Sequence, residues 1–102
     1  MIPLRLAVLA LGALSGCGDA RLAAVESLSG DSSAGATVFA DSCSDCHGAA
    51  GEGGSGPTLA GRGYDPTTVD SVVLYGTGDM PAFDGVLTDQ DIADVAAFVS
   101  GL

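Results

Sequence analysis

One pentapeptide constrains this chain more than any other feature: Cys43-Ser44-Asp45-Cys46-His47. Two cysteines three positions apart on a helical turn, followed at once by histidine, have the C-x-x-C-H spacing of covalent c-type haem attachment. Each thiol can form a thioether to one of the macrocycle's two vinyl groups, and the histidine is carried beneath the iron as its proximal ligand. Three other chemistries use paired cysteines. A thioredoxin-like redox pair sits in a βαβ context, which this chain lacks. A zinc site needs further Cys or His ligands, and only Cys17 remains outside the motif. A structural disulfide is the third alternative. Against all three, the chain's single histidine stands at the one position where haem attachment requires it.

The rest of the composition agrees with a chain that needs such a staple. At 102 residues it holds one domain at most. It is 47% hydrophobic, globular rather than disordered, but it has no Trp, two Tyr and three Phe to fill a core. A domain this poor in large side chains usually needs a covalent or metal support. The charge is one-sided: three arginines, no lysine and thirteen acids give −10. Nucleic acid is excluded as a partner, because no basic surface exists to displace its counterions. The acidity favours solubility and partners with basic docking surfaces.

Residues 1–16 read as an export signal. Arg5 and the α-amino group supply positive charge, and Leu6 to Leu14 form an apolar run too short to span a bilayer comfortably. The run ends Leu14-Ser15-Gly16-Cys17, which resembles the lipobox of bacterial lipoproteins, where the cysteine is lipidated and becomes the first mature residue. More than one acyl chain on Cys17 would anchor stably where a single chain is marginal. An ordinary cleaved signal and an uncleaved hydrophobic anchor are the competing readings. Lipidation also accounts for the odd cysteine, otherwise a stray thiol in an oxidising compartment. Residues 17–31 are then expected to be the lipidated N-terminus and a flexible tether. Leu22, Val25 and Leu28 make only a weak amphipathic stripe there, and a flexible segment of this length reaches about 21 Å.

The domain proper is expected over 32–102 and is all-α. Ser32 or Ser33 can cap a first helix from Ala34 to about Cys43, with Gly35, Phe39 and Cys43 on one face. Glycine inside a helix costs about 1 kcal/mol against alanine, which suggests another backbone passing close to Gly35. The glycine-rich run after His47 matches G-x-G-x-x-G over Gly51–Gly56, but without a preceding strand and a following helix it is no dinucleotide fingerprint. Asp65-Pro66 opens a second helix up to about Tyr75, with Val69, Val72 and Val73 as its stripe. Thr88-Asp89-Gln90-Asp91 resembles a capping box for a last helix with Ile92, Val95, Ala96 and Val99 inward.

A histidine-ligated iron has a sixth position to fill. With the signal removed, Met80 is the only methionine, and there is no second histidine, no lysine and no asparagine. Met80 is therefore the one ordinary strong ligand left; the alternatives are an open site and a methionine that merely packs in the core. Its setting, between Gly78 and Pro81, is an extended segment rather than a core helix. A neutral thioether favours ferrous over ferric iron and raises the reduction potential.

From Ser32 to Leu102 the chain resembles the small class I cytochromes c of bacteria, both the short monohaem carriers and the cytochrome subunits of terminal oxidases. The matching positions are Gly35 and Phe39, Cys43-x-x-Cys46-His47-Gly48, Gly56-Pro57-Thr58-Leu59 and Met80-Pro81-Ala82-Phe83. The resemblance implies a class I fold, about three main helices and loops around one covalent haem c. It implies that the Pro57 carbonyl accepts the His47 ring N–H, that Arg62 steadies a haem propionate, and that Gly35 and Phe39 cross the last helix near Val95 and Phe98. The lysine ring with which mitochondrial-type members dock cannot apply to a chain without lysine.

The reading is a single-electron carrier, not an enzyme, in the cell envelope on the periplasmic side of a membrane. Its partners are redox proteins. Two alternatives remain: a fixed subunit through which electrons enter a larger respiratory oxidase or reductase, and a haem peroxidase or ligand-binding protein. The latter needs the sixth site to open.

Overall fold

The structure, a computed structural model, describes Ala20–Leu102. The leader and the expected lipidation at Cys17 lie outside the described residues.

The frame is a crossing of two helices. α2 (Ser32–Ser42) is started by Asp31, whose carboxylate accepts from the backbone of Ser33 and Ala34. The cap is thus one residue earlier than Ser32 or Ser33, because a carboxylate at the N-cap meets both free N–H groups and the positive end of the dipole. α5 (Asp89–Ser100) has the full capping box: Thr88 Oγ1 accepts from Asp91 N, and Asp91 accepts from Thr88 N. The two pack against each other through Gly35, where a Cβ would overlap the carbonyl of Asp94. That overlap is why a helix-weakening glycine stands here. Phe39 then meets Phe98 with ring centroids 5.2 Å apart, in a tilted arrangement favourable for aromatic pairs.

α4 (Pro66–Tyr75) has Pro at its first turn and ends at Gly76. It packs on α5, and Val69, Val73 and Leu74 join Ile92, Val95, Ala96 and Val99 in one buried cluster. Each fully buried side chain of this size contributes about 1.5–3 kcal/mol, so these few residues carry much of the domain's stability. Among the described residues there is no strand, only the isolated bridges Thr77–Met80 and Asp84–Leu87.

The flexible tether is corrected from Ala20 onward. Residues Ala20–Glu26 form a helix, α1, which packs on α4 and α5 with Val25 fully buried. Seven residues make a marginal helix alone, so tertiary contacts hold it. Arg21 grips Asp84 and Asp89, Gln90 donates to the Ser29 carbonyl, and the Asp31 N–H donates to buried Asp94.

Asp70 of α4 is buried at 4% exposure, and its Oδ1 has no hydrogen-bond partner among the described residues. Burial, with the Glu26 charge on α1 adding to it, pushes the carboxyl up to about 6.

Candidate haem site

α3 (Ser44–His47) is a single turn continuing from the end of α2, fastened by the Ser44 hydroxyl on the Ala40 carbonyl at 2.7 Å. It carries the motif: Cys43 half-buried at its start, Cys46 exposed, and His47 half-buried at its end. No disulfide joins the two cysteines. Burial, and secondarily Cys46, pushes the Cys43 thiol up to about 11.

The glycine-rich segment wraps back onto this turn. Gly53 N–H donates to His47 O and Gly56 N–H to Cys46 O, both at 2.7 Å. A Cβ at Gly56 would sit 3.0 Å from His47 Cε1 and 3.1 Å from Nδ1, so the loop lies close against the imidazole. Just beyond it the Pro57 carbonyl oxygen stands 2.8 Å from His47 Nδ1. A carbonyl can only accept, so Nδ1 carries the proton and donates, and the Nε2 lone pair is left free to bind a metal.

Met80 lies on the segment between α4 and α5. Gly76, with φ 74°, turns the chain sharply, and a Cβ there would be 2.7 Å from Met80 O and 2.8 Å from Ala82 N. The loop therefore folds back over the end of α4. Thr77 and Met80 exchange backbone hydrogen bonds of 3.1 and 2.8 Å, and Phe83 N–H donates to Val73 O at 2.9 Å. Met80, Phe83, Leu59 and Cys43 are partly buried and adjoin the core cluster. Arg62 is exposed; its side chain has no partner among the described residues.

This donor set fits a c-type haem. Two cysteines flank one turn, an oriented imidazole has its Nε2 free, and half-buried apolar side chains next to the core offer a surface for a macrocycle. Sequence reasoning passed over Arg21 and Asp70; the one signal for α1 was the Leu22/Val25/Leu28 spacing.

The family described as cytochrome c oxidase, cbb3-type, subunit III matches residues 30–99. The chain belongs to the cytochrome c family. It is 42% identical over 79 residues to the cbb3-type cytochrome c oxidase subunit CcoP of Cereibacter sphaeroides, covering 70% of this chain and 27% of that subunit. Cytochrome c6 of a Picosynechococcus species is 40% identical over 85 residues, 69% of this chain and 72% of that protein. Among solved structures, cytochrome c6 of the diatom Phaeodactylum tricornutum superposes with a TM-score of 0.60 at 34% identity, covering 71% of this chain and 93% of that one. The fold is that of class I cytochromes c. Membership brings one covalently bound c-type haem with its iron, and the cytochromes c it groups with are electron carriers rather than enzymes.

Proposed function

We propose that this chain carries single electrons on a haem held by Cys43 and Cys46, with His47 and Met80 as axial ligands. The observation that carries the reading is the His47–Pro57 contact. It fixes the ring's tautomer and orientation, as partners of metal-bound histidines do, and leaves one nitrogen for iron. When bound, the haem supplies a one-electron ferric/ferrous couple. The chain's own residues hold it, exclude water from one side and set its potential; Arg62 supports a propionate. No acid/base or nucleophile constellation accompanies the site.

The carrier is held at the periplasmic face of a membrane by lipid on Cys17. None of the helices among the described residues is long and apolar enough to cross a bilayer. Its redox partners present basic surfaces to an acidic domain. Spectra with and without carbon monoxide test the carrier reading against a peroxidase or ligand-binding haem. A ferrous iron already holding Met80 takes up carbon monoxide weakly, whereas avid binding by the wild type would support the open-site alternative. The anchor is tested separately: Cys17→Ser should release the protein from membranes or leave the signal uncleaved, and a mature mass without lipid would remove that claim alone.

A second reading is favoured by the match to the oxidase subunit family. In it the chain is a fixed subunit of a larger respiratory complex. Co-purification with an oxidase or reductase after mild detergent extraction supports it.

A further inference from the structure

The loop between α4 and α5 is only partly packed: Phe83 and Leu87 lie against the core cluster, while Pro81, Ala82 and Asp84 are exposed and Val86 is 70% exposed. Its backbone bonds run within the loop or to α4: Thr77 with Met80, Phe83 to Val73 and Asp84 to Leu74. One side chain reaches it from the N-terminal helix. Arg21 donates to Asp84 Oδ1 from Nε at 3.2 Å and from Nη2 at 2.9 Å. The same guanidinium engages both carboxylate oxygens of Asp89 at the start of α5, at 2.8 and 3.1 Å. The pair with Asp89 is thus the forked one, and Asp84 is met by two N–H groups at one oxygen.

The base of Arg21 is itself fixed. Val25, one helical turn on, is fully buried, and Ser29 and Asp31 are tied to α5 by Gln90 and Asp94. Arg21 thus connects an anchored helix to the exposed part of this loop, four residues after the methionine.

We propose that Arg21 is a positioning residue for Met80: through Asp84 it braces the methionine loop against the N-terminal helix and so governs how often the thioether leaves the iron. The inference rests on Met80 being the axial ligand. It also gives α1 a role beyond linking the domain to whatever precedes it. Strain or displacement arriving from the Cys17 side would reach the iron through Arg21.

The test uses the full-length haem-loaded protein and two readouts of methionine ligation, the far-red sulfur-to-iron band of the ferric form and carbon monoxide affinity of the ferrous form. Carbon monoxide binds the fraction with the methionine off, so apparent affinity scales with that fraction. Arg21→Gln and Asp84→Asn should each raise it about two- to fivefold, the range an exposed arginine–carboxylate pair imposes on a local equilibrium. Their effects should not add in the double variant. Arg21→Lys should restore part of the loss. Asp89→Asn cuts the contact to α5 but leaves Arg21 on Asp84, so it should move carbon monoxide affinity less, even where it costs as much thermal stability. Wild-type affinity and band in Arg21→Gln would overturn the proposal, as would affinities that track overall stability across all the variants. A wild-type protein whose ferric spectrum has no sulfur band would overturn the Met80 assignment and this proposal with it.

Discussion

The α2–α5 crossing and the loops that carry the ligands are built on opposite principles. The crossing is made by side-chain packing: Phe39 and Val95 are fully or almost fully buried, and Gly35 lets two backbones touch. The ligand loops have little of this. Cys46, Pro57, Pro81 and Ala82 are exposed, and what orders the loops is backbone hydrogen bonding, Gly53 to His47, Gly56 to Cys46, Thr77 to Met80. A packed frame draws its stability from apolar burial, whereas half-exposed loops need something to close upon. In the proposed reading the thioethers and axial bonds of a haem would be that support, and the loops would specify where the ligands stand rather than how stable they are.

The comparison breaks most completely at the motif. Replacing both Cys43 and Cys46 by Ser should leave no haem-bearing protein, because the loop side has too little apolar burial to stand without the macrocycle. Mass spectrometry and absorption of the envelope fraction check this; a stable, helical, haem-free domain would show that the frame alone suffices. The frame is broken separately by Phe39→Ala, which should cost about 3–5 kcal/mol in urea unfolding followed by helical circular dichroism. Below the unfolding transition its haem spectrum should be unchanged.

Two helix starts and the C-x-x-C-H motif were legible because each was written locally. Asp65-Pro66 and Thr88 through Asp91 name helix starts within four residues, and α4 and α5 begin at Pro66 and Asp89. Cys43, Cys46 and His47 are legible for the same reason. What was not legible depends on distant residues. Ala20–Glu26 is helical because Arg21 finds Asp84 and Asp89, more than sixty positions away, and because Val25 finds the core. A seven-residue segment has no strong periodic signal of its own. Asp31 caps in place of Ser32 or Ser33 through its own carboxylate, and local sequence does not show that Asp94 also holds its N–H. The burial of Asp70 on α4, beside α1, had no sign in its local sequence.

That buried acid sharpens the frame's side of the comparison. Its folded value, about 6, lies above the ordinary 3.8, so between about pH 4 and 6 the folded state binds more protons than the unfolded one, and stability falls as pH rises through that window. Above it the penalty is complete. Asp70→Asn should therefore raise stability at neutral pH, by roughly 1–3 kcal/mol, and flatten the pH dependence between 4 and 6. Thermal melts across that range decide it; an unchanged slope would mean that Asp70 titrates normally.

The loop side is also tested in encounter. After cleavage before Cys17, Arg21 and Arg62 stand against thirteen acids, 2 − 13 = −11, and Arg21 is already paired. Association with a basic partner should be faster at low salt by about 10–10³ and slow as ionic strength shortens the Debye length to about 8 Å. Stopped-flow oxidation by the partner across a salt series measures this. A rate that is flat or rises with salt would leave the acidity to solubility alone.

The central claim is that His47 and Met80 hold one iron between the two loops, and potentiometry of the wild type beside Met80→Ala tests it most directly. The account predicts a potential that falls in the variant, on the order of 0.1–0.3 V within the ~0.8 V span that axial ligands set, together with new carbon monoxide binding. Identical potentials and spectra for the two proteins would contradict it, and would place another group on the sixth position.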